Sequence, residues 1–137
     1  MTGRMYVQST RAALPKHAAV RLRLNRGMLV FEDTRYFGRM TLDTSSLEKL
    51  GPEPLSDRFN GRVLQEGLRM CSQPIKPKLL DQGLLAGVGN IYASEALWQA
   101  RISPRKLSRR LSGTQYNLLA ECIQLVLRKA IEAGSTM

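Results

Sequence analysis

The apolar pattern of this chain changes its period once, across LGPEPLSD (residues 50–57), and that change sets the class of fold. Before it, VRLRLN (20–25) alternates apolar with basic residues, the period of a half-buried strand. Asn25-Arg26-Gly27 is a turn signal and MLVFED (28–33) reads as the return strand of a hairpin. RMTLD (39–43) reads as a third strand. After the change the spacing is helical. Asn60 is placed to cap a helix over 61–71, with Val63, Leu64, Leu68 and Cys71 on one side. Pro77 suits the first turn of a short helix that runs to Asp81. A third helix is expected from Asn90 to Ala100. Ala93, Ala96, Leu97 and Ala100 line one face, and Ile91 and Trp98 form a second apolar row, so this helix should lie between neighbours. Ser112 and Gln115 make a capping-box pair for a last helix. Its stripe is Leu118, Leu119, Cys122, Ile123, Val126, Leu127, Ala130 and Ile131, and Gly134 stands at its stop. The class is therefore α+β: a few antiparallel strands, then four or five helices. Pro and Gly make 50–57 the best domain boundary, with 1–50 and 51–137 as the two parts.

Charge narrows the partners. Lys and Arg number 21 against 11 Asp and Glu, and the formal net charge is +10. The excess is blocked rather than spread. Arg4, Arg11, Lys16, Arg21, Arg23 and Arg26 all precede the first acid, Glu32, and RISPRKLSRR (101–110) contains no acid. Clustered bases suit a polyanion, because each one that meets a phosphate releases condensed counterions. The bland alternative is a solvated basic surface. Apolar runs fall far short of the roughly 20 residues that span a bilayer, so no membrane partner is expected and the expected location is cytoplasmic, on the nucleoid in a bacterium. Cys71 and Cys122 are distant and outside any CxxC, so a structural disulfide is weakly supported and two buried free thiols are the favoured reading. With a single histidine they cannot supply a four-ligand zinc site, so no metal or cofactor is expected.

The most pointed local feature is LLAGVGNIYASEAL (84–97), where Gly87, Gly89 and Asn90 join a turn to a helix start. A helix N-terminus leaves unpaired N–H groups with partial positive charge. Glycines before it let the backbone curl close to an anion. Asn90 could cap the helix or offer its amide to a phosphate oxygen. The segment thus reads either as a compact phosphate clamp or as a tight helix–helix turn, and spacing alone leaves both open.

The longer run IKPKLLDQGLLAGVGNIYASEALWQARISPRK closely resembles the helix–two-turn–helix segment of the formamidopyrimidine-DNA glycosylase/endonuclease VIII family of repair enzymes. EDTRYFG resembles that family's strand-turn segment, LGPEPLSDRFN its interdomain connection, and the opening MTG the end of a strand with a Met-Ser/Thr-Gly turn. The resemblance covers essentially the whole chain. It implies the last strands of an N-terminal β-sandwich followed by a helix–two-turn–helix DNA-binding domain, and damaged double-stranded DNA as partner. It further implies that Asn90 contacts phosphates beside the damaged nucleotide, with Gly87 and Gly89 shaping the clamp. Met1, Arg35 and Phe37 fall where the family fills the gap left by an extruded base, which a planar ring and a guanidinium suit physically. Lys76 falls at a lysine near the DNA backbone. Each has a plainer reading. Phe37 could be a core aromatic, Arg35 could pair with Asp33 or Glu32, Met1 could have no role, and Lys76 could be a solvated charge. Tyr92 and Trp98 read as core residues, and Glu95 as a brace for the turn.

Departures from the family pattern bear on chemistry. The family uses an N-terminal proline amine as nucleophile with a neighbouring glutamate, whereas this sequence begins Met1-Thr2-Gly3. It stops at Gly134-Ser135-Thr136-Met137, where the family continues into a finger with or without zinc. Thr34 stands where proline is common, Tyr36 replaces a second arginine, and His17 lacks its usual histidine-type neighbour at Ala19. No catalytic residue is assigned. The chain reads as an internal portion of a larger enzyme that acts on oxidised purines, with three readings to weigh: glycosylase/AP lyase, catalytically inactive nucleic-acid-binding module, and, more weakly, RNA binder. Family members are monomeric, but a part-sheet that leaves Val20, Leu22, Leu24, Leu29 and Phe31 uncovered is expected to be marginally stable or to self-associate.

Overall fold

The structure is a computed structural model that describes residues 3–134. Contacts divide the chain into two compact units, Met1–Leu42 and Asp43–Met137. Each is described by itself.

The first unit is a three-stranded antiparallel sheet of β1 (Arg4–Gln8), β2 (Ala18–Leu24) and β3 (Gly27–Glu32), in the order β1-β3-β2. The expected hairpin forms, with Leu24 opposite Gly27 across the two-residue turn Asn25-Arg26. Gly27 sits at φ +113°, in the left-handed half of the map, and a Cβ there would press on the Gln8 carbonyl. Ala19 is the extra residue of an irregularity between Ala18 and Val20. The third strand is not RMTLD. Residues 39–43 form no strand, and Met40 and Leu42 are exposed. β1 and β2 occupy both edges of β3, so the place beside β3 that a continuing meander would give this stretch is taken. The strand that does form, RMYVQ, is too short to show a clear period.

Residues opposite one another on neighbouring strands share a face. Met5, Val7, Val20, Leu22, Leu29 and Phe31 therefore line one side of the sheet. On that side Met5 and Val7 are more than half exposed and Leu22 is open, as is Leu24 at the turn. Val20, Leu29 and Phe31 are half-buried. The opposite side carries Tyr6, Arg21 and the fully buried Val30.

The second unit holds a 3₁₀ turn (Leu47–Lys49), α1 (Gly61–Leu68), α2 (Ile75–Leu79), α3 (Asn90–Gln99), a second 3₁₀ turn (Ser108–Arg110) and α4 (Gly113–Glu132). Residues 51–59 are tied to the helices: the Gly51 N–H donates to Gln82, the Ala86 N–H to Pro52, and the Gln124 side chain to Pro54. Asn60 caps α1, its Oδ1 accepting from the N–H groups of Arg62 and Val63 at 3.0 and 3.2 Å. α1 ends at Leu68, short of 71, because the chain turns there and the Cys71 carbonyl is taken by the Arg109 N–H. Segment 71–76 then runs beside 104–109, bonded at Gln73–Ser108, Ile75–Lys106 and Lys76–Pro104. Gly61 permits close approach of α1 to α4, since a Cβ there would collide with the backbone of Asn117.

α4 is the spine, in contact with both α1 and α3. Its capping box is complete: Ser112 Oγ accepts from the Gln115 N–H and Gln115 Oε1 from the Ser112 N–H. Leu119, Cys122, Ile123 and Val126 are buried as expected, joined by Tyr116 and Ala120, while Leu118 and Ile131 face outward. Gly134, at φ +67°, closes the helix. Leu64, Leu68, Ile75, Leu79, Leu85, Val88, Ala93 and Leu97 complete one core. On α3 only the first apolar row is internal. Ile91 and Trp98 are 48% and 72% exposed, so the expectation of a helix sandwiched on two sides, with Trp98 in the core, is overturned. Tyr92 is half-buried against the core, as expected. Both cysteines are free.

Candidate nucleic-acid interface

Asn90 does not cap α3. It is the first helical residue, Gly89 is the N-cap, and no side chain caps the helix. Among the described residues nothing accepts from the N–H groups of Gly89, Asn90 or Ile91, and the Asn90 side chain has no hydrogen-bond partner. Gly87, Gly89 and Asn90 are all exposed. The amides at this helix start therefore face solvent with open donors, as the clamp reading requires.

The turn that presents them is braced by two residues the sequence reading passed over. Gln82 spans it: Oε1 accepts from the Gly87 N–H at 2.9 Å, and Nε2 donates to the carbonyls of Val88 and Leu80 at 3.0 and 3.2 Å. Asp81 anchors its start, with Oδ1 accepting from the Gly83 N–H at 3.0 Å and Oδ2 paired with Lys78 Nζ at 2.6 Å. The Lys78 ammonium and the Gly83 N–H hold the Asp81 carboxyl below its ordinary range. Gly87 takes φ +77°, where glycine is the unstrained choice, yet nothing lies within 4 Å of a Cβ placed on Gly87 or Gly89. The space before the helix start is open to an incoming backbone. Glu95, expected to brace the turn, is exposed and makes no hydrogen bond among the described residues.

Lys76 is half-buried in the same unit, its N–H bonded to the Pro104 carbonyl at 3.3 Å and its ammonium in no ion pair among the described residues. Of the basic block, Arg101, Arg105, Arg109 and Arg110 are exposed and form no ion pair among the described residues. Lys106 is used internally, donating to Gln115 Oε1 at 2.8 Å.

Arg35 and Phe37 lie in the first unit, on the turn after β3. Phe37 is 76% exposed, so it is not a core aromatic, and the Arg35 guanidinium lies over its ring at 4.9 Å from the centroid. Arg35 pairs with neither Asp33 nor Glu32 through its guanidinium. Its backbone N–H is what donates to Asp33 Oδ1, at 3.1 Å. The almost buried Asp33 organises the whole turn, its Oδ2 also accepting from the Gly38 N–H at 2.6 Å. These N–H donors, that of Gly38 first, lower the Asp33 pKa from its ordinary value. Gly38 packs closely here, and a Cβ would press on the Phe31 ring and the Asp33 carboxylate. Tyr36 adopts φ +53°, and its ring meets that of His17 edge-on, with centroids 6.3 Å apart. Met1 lies outside the described residues.

The described residues bring together no three His, Cys, Asp or Glu side chains able to hold a metal ion.

Residues 50–137 match the family described as the formamidopyrimidine-DNA glycosylase H2TH domain. The chain is 43% identical over 143 residues to a formamidopyrimidine-DNA glycosylase of Salmonella newport, covering 99% of this chain and 53% of that protein. It is also 43% identical over 142 residues to that of Herpetosiphon aurantiacus, with coverage of 99% and 52%. The chain thus spans about half the length of the curated relatives it matches. Among solved structures it is similar to the Lactococcus lactis enzyme non-covalently bound to DNA containing an abasic site: TM-score 0.84, 35% identity, covering 99% of this chain and 55% of that one. It is equally similar to MutM in complex with DNA containing carbocyclic 8-oxo-G, at TM-score 0.85 and 35% identity, with coverage of 99% and 54%.

Proposed function

This chain belongs to the formamidopyrimidine-DNA glycosylase family, and we propose that it serves base-excision repair by gripping damaged duplex DNA at the start of α3, beside oxidised purines. The observation that carries the reading is the set of open donors at Gly89, Asn90 and Ile91, exposed at a glycine-shaped helix start. Phosphate oxygens are the natural acceptors for such a site, and unpaired arginines nearby on the chain add long-range attraction. The solved relatives hold abasic and 8-oxo-G DNA, which supports the lesion class. Lys76 supplies a further phosphate contact. Phe37 with Arg35 fills the stack where a base is extruded, and exposed aromatic and guanidinium groups on a pinned turn suit that work. The reading gives the chain no metal or cofactor and a cytoplasmic, nucleoid-associated place. The open apolar face of the sheet is assigned to self-association.

A second reading is a nucleic-acid-binding module without its own chemistry. It is favoured by the absence, among the described residues, of a nucleophile with an adjacent acid or base at the α3 turn, where Glu95 makes no hydrogen bond. Borohydride trapping on abasic duplex DNA separates the two. A covalent adduct supports the glycosylase/lyase reading, and binding without an adduct supports the module. Failure to bind abasic duplex at low salt contradicts both.

A further inference from the structure

The helix that begins at the proposed phosphate clamp ends at a second feature. Asn90, Ser94 and Trp98 follow at i, i+4 and i+8, so they form one row along α3 about 12 Å long. Trp98 lies 72% exposed, and Arg101 Cζ stands 5.5 Å from its ring centroid. Beside them opens a mainly apolar cleft of about 390 Å³, walled by Lys76, Leu97, Trp98, Arg101, Ile102 and Pro104. Bonds from the N–H groups of Lys76 to Pro104 and Ile75 to Lys106 fix its far wall.

The backbone beneath the arginine sharpens the case. α3 closes in a Schellman arrangement, with the Ile102 N–H bonded to Leu97 at 3.0 Å and the Arg101 N–H to Trp98 at 3.1 Å. The residue that takes the left-handed conformation is Arg101, at φ +53°, where glycine is the unstrained choice. The fold thus carries an unfavourable residue at the one position that sets a guanidinium over an exposed indole. An apolar cleft with an aromatic wall and a rim of two cations, Lys76 and Arg101, is complementary to a flat ring that bears negative charge.

We infer that this cleft takes an unpaired nucleotide of the bound nucleic acid, its base against Trp98 and its phosphate toward Arg101 and Lys76. This rests on the nucleic-acid reading above and extends it. The distance of about 12 Å from the clamp matches three to four stacked nucleotides at about 3.4 Å each. Stacking of this kind tolerates any base, since every base presents a π face.

Trp98 is the chain's only tryptophan, so its fluorescence reports the site directly. The full chain is titrated with single-stranded hexathymidylate and, separately, with a blunt abasic duplex. Hexathymidylate should quench Trp98. Labelled hexamer should bind Trp98→Ala about tenfold more weakly, and Arg101→Gly several-fold more weakly even as its melting temperature rises, because the backbone strain is relieved. Trp98→Ala should not alter affinity for the blunt duplex. The inference is overturned if the hexamer leaves the fluorescence unchanged, if Trp98→Ala binds it like the parent, or if a tryptophan-free proline-rich peptide quenches Trp98 where the hexamer does not. Quenching by hexamer with no duplex binding defeats the clamp alone, and duplex binding without quenching defeats the cleft alone.

Discussion

Asn90 shows how far a single position can be read. The sequence places it at the helix start and leaves two roles open, cap or phosphate donor. The structure removes the first, because Gly89 is the N-cap and the Asn90 amide is unpartnered. Asn90→Ala is therefore expected to weaken binding of abasic duplex by about 1–3 kcal/mol, the range for a lost hydrogen bond to a charged group. Its melting temperature should stay within a degree or two of the parent, as the residue is exposed. Fluorescence anisotropy and a thermal scan check the two halves. Trp98 shows the opposite case. A seven-residue spacing from Ile91 says that the two share a side of the helix, but not whether anything covers that side. Asp33 and Gln82 were missed because their roles consist of hydrogen bonds to backbone groups two to six residues away. Only the shape of the turn selects those groups.

Among the elements, those with strong period and caps were the legible ones. α1 and α4 begin where Asn60 and Ser112 place them, since a cap is a local bond that the sequence nearly determines. RMTLD failed because pairing is not local: β1 takes the β3 edge that it would have needed. Two turns depend on carboxylates, and both should loosen in acid. Asp33 and Asp81 each have a pKa lowered below the ordinary 3.8 by the donors that hold them. A depressed folded pKa gives stability that is complete above the unfolded value, near pH 4, and is lost as pH falls through the folded one. The Arg35–Phe37 turn and the 81–89 loop should accordingly show faster amide exchange at pH 3 than at pH 6 once intrinsic rates are corrected. Equal protection would contradict these roles. Gly87→Ala has room for its methyl yet must adopt φ +77°. It should cost about 1–2 kcal/mol in chemical denaturation.

For the molecule as a whole, the division into strands and helices was legible from the change of period, whereas exposure of the apolar sheet face depended on which strands pair. Met5, Val7, Leu22 and Leu24 stand open on that face, while Arg21 and Arg23 lie on β2, charges that discourage edge-to-edge pairing. Face-to-face association is expected: analytical ultracentrifugation should show dimers that grow with concentration, and Leu22→Lys should reduce them. A monomer throughout would remove this assignment. The net charge of +10 predicts steep salt dependence, with log affinity for duplex falling linearly in log salt at about 0.9 per phosphate neutralised. The central claim, that open amides at the start of α3 hold a phosphate, is tested most directly by Asn90→Pro. Proline suits the first helical position, so the helix should survive, but the substitution deletes both the backbone N–H and the side-chain amide. Circular dichroism unchanged, with affinity for abasic duplex lowered at least tenfold and beyond that of Asn90→Ala, is the predicted result. Parental affinity in a folded Asn90→Pro variant would contradict it.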